Sequence, residues 1–191
     1  MRPYLERALK ESAALAGRCL EDPDILDGFE SVATALRQAF LSGRKALICG
    51  NGGSLADAVH FAEEWTGRFR DDRRPWPVIP LAEPGHLTCV ANDFGFDQVF
   101  ARLVLAYGQP GDLLFLLSTS GQSPNLLHAA RAASDRSMIR IGLLGRKGGE
   151  LRDHCDIALC FPGDTSDRIQ ELHMLFLHAL VEAVETELDS A

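Results

Sequence analysis

His60 and Glu64 stand four residues apart in a segment with helical spacing, directly after the glycine-rich turn Gly50-Asn51-Gly52-Gly53-Ser54. That turn follows the apolar run Ala46-Leu47-Ile48-Cys49. Residues i and i+4 share one face of a helix, so an imidazole and a carboxylate at this spacing can handle protons or hold a metal. Free backbone N–H groups at the start of the same helix can hold a phosphate. Singly, each residue has a plainer account: His60 as a core histidine bonded to a carbonyl, Glu64 as the ion-pair partner of Arg68 at i+4. Together, at the end of a buried strand, they read as a site. The turn is not a dinucleotide fingerprint, because Leu55 stands where the third glycine of G-x-G-x-x-G belongs.

A second polar turn, Ser118-Thr119-Ser120-Gly121-Gln122-Ser123-Pro124, follows the apolar run Leu113 to Leu117. Ser123 suits a helix N-cap and Pro124 the first helical position. Hydroxyls and free N–H groups converge there, as a capped, solvated loop or as a phosphate cradle. No G-x-x-x-x-G-K-[ST] motif is present. In the run from Met174 to Val181, His178 alone is polar, so its imidazole is expected to be buried and open to pKa tuning, in a structural or a functional role. Gln170 fits the N3 position of a capping box with Asp167. His86, His128, His154 and His173 have no comparable setting.

Two amphipathic helices, over 4–20 and 24–42, position nothing chemical themselves but open the chain. Short apolar strands then alternate with helices: strands at 46–49, 78–81, 113–117, 139–144 and 157–160, and helices at 54–66, up to Tyr107, at 123–134 and at 167–188. Nearly all-apolar strands separated by helices require a parallel sheet covered on both faces. The expected architecture is α/β: a three-layer sandwich with a five-stranded parallel sheet, plus the two N-terminal helices. Ligands in such sheets bind beyond the carboxyl ends of the strands at a topological switch point. Both polar turns lie at that edge.

With 191 residues and a formal charge of −8, the chain has the composition of an ordinary globular domain and lacks the clustered positive charge that nucleic acid requires. The basic and aromatic stretch from Arg68 to Trp76 reads as a solvated loop or a subunit contact, because Asp71 and Asp72 offset half its charge. Five scattered cysteines without a C-x-x-C pair suggest neither a disulfide framework nor a zinc finger, and fit a reducing cytoplasm. No signal-like or membrane-spanning apolar segment is expected.

The motifs Cys49 to Ser54, His60 to Arg68, Ala91-Asn92-Asp93-Phe94-Gly95-Phe96, Ser118 to Gly121 and Asp167 to His173, in this order, resemble the sugar isomerase (SIS) domain family. The resemblance spans nearly the whole chain, and implies one SIS domain over 1–191 with a helical pair at 1–42 for oligomerisation and an α/β core at 43–191. It implies aldose-ketose isomerisation of sedoheptulose 7-phosphate to D-glycero-D-manno-heptose 7-phosphate through an enediol. By position, Glu64 would be the base at carbon and His178 its partner at the oxygens. Ser118, Thr119, Ser120 and Ser123 would bind phosphate, while Asn51, Gly52, Gly53, Asn92, Asp93 and Gln170 would line the sugar site. The family also implies zinc on His60, Glu64, Gln170 and His178, although Gln170 and His178 would stand roughly 12 Å apart along an ideal helix. A homotetramer with sites at subunit interfaces is expected. Two readings compete: an isomerase of another sugar phosphate, and a non-catalytic SIS protein that binds a replication initiator. Relatives of the latter lack the carboxylate and imidazole that match Glu64 and His178.

Overall fold

The computed structural model describes residues 1–189, so Ser190 and Ala191 of the expected domain lie outside the described residues. Helices α1 (Arg2–Leu20) and α2 (Pro23–Leu41) open the chain. The turn between them sets up α2: Pro23 takes the first helical position and the Asp22 carboxylate accepts from the Asp24 N–H at 3.0 Å. The α/β part follows as β1 (Ala46–Gly50), α3 (Gly53–Thr66), β2 (Val78–Pro80), α4 (Pro84–Phe94), α5 (Val99–Tyr107), β3 (Leu113–Ser118), α6 (Pro124–Asp135), β4 (Ile139–Gly145), β5 (Ile157–Phe161) and α7 (Ser166–Asp189).

All five strands pair in parallel, in the order β2-β1-β3-β4-β5. Their side chains alternate between two apolar layers, which explains the near-continuous apolar runs. Ile48, Phe115, Leu117 and Leu143 face α2, α3 and α7, whereas Leu47, Leu114, Leu116 and Leu144 face α4, α5 and α6. The three-layer sandwich and its two extra helices are as the sequence implies. β2 stops at Pro80, on an edge strand where a missing N–H costs no central ladder bond.

One element differs. The helix expected to run to Tyr107 is two helices, because Gly95 adopts φ +91° and a 3₁₀ turn at Phe96–Gln98 redirects the chain. A second 3₁₀ turn at Glu150–His154, absent from the sequence reading, fills the connection to β5.

The strand order reverses between β1 and β3, and Gly50 pairs with Leu117 at their carboxyl ends. The two polar turns therefore leave the sheet side by side, at the crevice where α/β sheets hold ligands.

Candidate active site

Gly52, at φ +56°, turns the chain from β1 into α3. Helical spacing then puts Glu64 on the inner face toward α7 and His60 one turn earlier at the rim. Glu64 is 5% exposed, and its Oε1 lies 3.3 Å from His60 Nε2 and 3.3 Å from His178 Nε2. Its Oε2 is buried without a hydrogen-bond partner. The imidazoles meet edge to face, with centroids 5.2 Å apart. Burial raises the Glu64 pKa, opposed by His178 and then His60. This carboxylate answers to two imidazoles, and the simple ion pair with Arg68 is not formed.

His178 is not buried as expected: 40% of its side chain is exposed, at the mouth of an open cleft of about 640 Å³ shared with Asp57, Gln170 and Met174. An apolar neighbourhood in sequence did not translate into burial because this face of α7 borders the cleft, where Leu175 is exposed as well. The buried histidine is His173, 0% exposed against Phe161, with burial pushing its pKa down to about 4.

The ligand atoms of His60, Glu64 and His178 all lie within 4.8 Å of one another. Two imidazole nitrogens and a carboxylate with an unpartnered oxygen form a donor set that zinc accepts. Gln170 lies two turns earlier on α7 than His178. Its Nε2 donates to Ser54 Oγ at 3.3 Å rather than serving a capping box, and a Cβ on Gly53 would stand 2.7 Å from the same amide.

The second turn encloses a cleft of about 150 Å³ lined by Asn51, Ser54, Ser118, Thr119, Ser120, Ser123, Ser166 and Gln170. Its hydroxyls are not equivalent. Ser118 Oγ accepts from the Gly121 N–H at 2.9 Å and Ser120 Oγ from the Gln122 N–H at 3.2 Å, so both shape the loop. Thr119 Oγ1 meets Ser166 Oγ at 3.0 Å. Ser123 occupies the N-cap position of α6, yet its side chain makes no cap bond. That hydroxyl remains available to a ligand. Gly121, at φ +65°, packs so closely on the β4 loop that a Cβ would fall 1.8 Å from Gly148 O.

Several contributors escaped the sequence reading. Asn51 and Asn125 exchange amide hydrogen bonds of 3.0 and 2.8 Å, tying the β1 turn to α6 across the switch point. Asn125 is 2% exposed, and a polar residue on an apolar helix face was the available signal. Asp57, one turn before His60, has a buried, unpartnered Oδ2, and burial raises its pKa to about 6 against the lowering influence of His60. Asn92 and Asp93 are exposed near the end of α4, where Asn92 Nδ2 donates to Asp93 Oδ1 at 2.7 Å. Neither lines the two clefts just described.

The chain has known relatives in sequence and in fold. The SIS domain family model matches residues 13–145, and the chain belongs to that family. Within it, the chain is 48% identical over 176 residues to the phosphoheptose isomerase of Fusobacterium nucleatum, covering 92% of this chain and 91% of that protein. It is 44% identical to the Vibrio cholerae phosphoheptose isomerase, covering 94% and 95% of the two. The solved phosphoheptose isomerase structure from Neisseria gonorrhoeae superposes with a TM-score of 0.90 at 34% identity, over 97% of this chain and 98% of that one.

Proposed function

We propose that the chain is a phosphoheptose isomerase that interconverts sedoheptulose 7-phosphate and D-glycero-D-manno-heptose 7-phosphate. The observation that carries this reading is the buried Glu64 carboxylate touching His178 beside the hydroxyl-lined cleft. Aldose-ketose isomerisation moves a proton between adjacent carbons, one of them a carbonyl, through an enediol. Burial makes Glu64 a stronger base than a solvated carboxylate, suited to taking the carbon-bound proton and returning it to the neighbouring carbon. His178, in contact with Glu64 and open to the cleft, moves protons at the two oxygens. Ser118, Thr119, Ser120 and Ser123 hold the phosphate, with Ser118 and Ser120 also shaping the loop, and Asn51, Gly52, Gly53 and Gln170 line the sugar.

His60, Glu64 and His178 are suited to holding one zinc ion, with Gln170 as the fourth ligand the family implies; when bound, zinc would polarise the substrate oxygens. Asn92 and Asp93 are assigned to the sugar site of a neighbouring copy in a homotetramer, which agrees with their exposure. Among the described residues no helix is long and apolar enough to cross a membrane, and the place of action assigned is the cytoplasm. The non-catalytic, initiator-binding reading is disfavoured because it leaves the Glu64–His178 contact without a purpose. An isomerase acting on another sugar phosphate would use the same groups.

The test is incubation of the purified protein with sedoheptulose 7-phosphate, with and without added zinc. Aldoheptose phosphate is the expected product. Its absence under both conditions, with turnover of a hexose phosphate instead, would transfer the assignment to that substrate.

A further inference from the structure

The segment between α3 and β2, where arginines and aromatics interleave, leaves Arg68, Asp71, Asp72 and Arg74 exposed but is anchored to the rest of the fold at specific side chains. It crosses over α7 and attaches to the one face that carries His178, Glu182 and Glu185, at i, i+4 and i+7. Phe69 stacks on the His178 imidazole with centroids 5.9 Å apart and planes 27° from parallel. Arg70 pairs with Glu182, and Arg73 pairs with Glu185.

Arg73 is the most deeply placed of these, with 3% of its side chain exposed. Its Nε donates to Glu185 Oε2 at 2.8 Å, Nη2 to the Glu64 carbonyl at 2.6 Å, and Nη1 to the Trp65 carbonyl at 2.9 Å and the Arg74 carbonyl at 3.3 Å. The guanidinium carbon also lies 5.3 Å from the Trp65 ring centroid. The last carbonyls of a helix have no intrahelical donor and carry its negative dipole end, so a buried cation there is well matched. Here the carbonyls include that of Glu64 itself.

We propose that Arg73 is a positioning residue for the Glu64–His178 pair. It fixes the end of α3 against α7, and so sets where the Glu64 carboxylate stands relative to both imidazoles, while touching no substrate. A rigid fork of donors is required to reach a carboxylate on one helix and two carbonyls on another at once; a lysine ammonium, as a point charge on a flexible stem, cannot reproduce it. The proposal rests on the isomerase reading for its kinetic consequence but not for its geometry.

The test compares Arg73→Lys and Arg73→Ala with the wild type, at a temperature where circular dichroism shows each to be folded. Misplacement of reacting groups by about 1 Å lowers rates by up to about 100-fold, so Arg73→Lys should lose about 10- to 100-fold in kcat with KM changed less than about twofold. Added guanidinium ion should restore part of the Arg73→Ala rate and none of the Arg73→Lys rate. Glu185→Ala, which removes the carboxylate that anchors Arg73 to α7, should lose kcat in the same sense and serves if the Arg73 variants do not fold. A crystal structure of Arg73→Lys, or of Glu185→Ala in that event, should show Glu64 displaced from one imidazole. Wild-type kcat in these variants, or Glu64 Oε1 still 3.3 Å from both imidazoles in their structures, would overturn the proposal. A wild-type protein inert toward the heptulose phosphate would overturn the isomerase reading instead, and the crystal structure would then decide this one.

Discussion

Glu64 Oε1 stands 3.3 Å from His178 Nε2, and that contact joins the first helix after the glycine turn to the last helix of the chain. Neither helix makes the site alone. α3 and α7 cover the same face of the sheet, where Phe61 and Trp65 of the one and Leu177 and Val181 of the other share a core. The packing that buries those apolar residues also leaves a carboxylate and an imidazole facing one another at the crevice. Replacing Glu64 by glutamine keeps the shape and removes the base. Turnover of sedoheptulose 7-phosphate should fall by about 10²–10⁴ while calorimetric binding of the substrate stays near the wild-type value. Activity within a few-fold of wild type would remove Glu64 from the role of base.

Metal binding can be separated from turnover by elemental analysis. Purified protein should carry roughly one zinc per chain, reduced on dialysis against a strong chelator and restored by zinc alone. His60→Ala removes one of two imidazoles from the donor set and should leave most chains without metal. Zinc content unchanged in this variant would exclude His60 as a ligand.

The hydroxyls of the second turn should behave differently from one another. The Ser123 side chain makes no cap bond to its own helix, so Ser123→Ala should raise KM for the sugar phosphate and leave the melting temperature close to wild type. Ser118→Ala removes the buried bond from the Gly121 N–H, and should lower stability by about 1 kcal/mol in urea titrations besides weakening substrate binding. Equal stability losses in the two variants would contradict this division of labour.

Much of this arrangement was legible because buried parallel strands and the turns that follow them write themselves locally. The run Leu113 to Leu117 could only be an interior strand, and the polar residues after it could only emerge at the sheet edge. The Asn51–Asn125 exchange left no such trace, since a reciprocal amide pair depends on two turns meeting in space. The break at Gly95 depends on the positive φ of that glycine and the 3₁₀ turn after it, which only the folded backbone reveals. The exposure of His178 escapes a local pattern for a related reason: its sequence neighbours are apolar, but the cleft beside α7 is formed by Asp57 of α3 with Gln170, Met174 and Leu175 of α7 itself. Reading the inner stripe of α7 instead, through Ile169, His173, Leu177 and Leu180, would have singled out His173 as the buried imidazole.

His173 gives the protein a defined sensitivity to acid. Its pKa is lowered to about 4 by burial, with the Leu144 backbone opposing only in part, against 6.5 for the unperturbed group. Between those values the unfolded chain binds a proton that the folded chain does not, so this contribution to stability is complete above about pH 6.5 and declines as pH falls toward 4. The loss across that window is on the order of a few kcal/mol. His173→Leu removes the titrating group from the core and keeps an apolar side chain of similar bulk against Phe161. Urea unfolding measured from pH 7 to 4.5 should therefore show a shallower decline in this variant than in wild type. Parallel declines in the two proteins would mean that other groups, not His173, set the acid sensitivity.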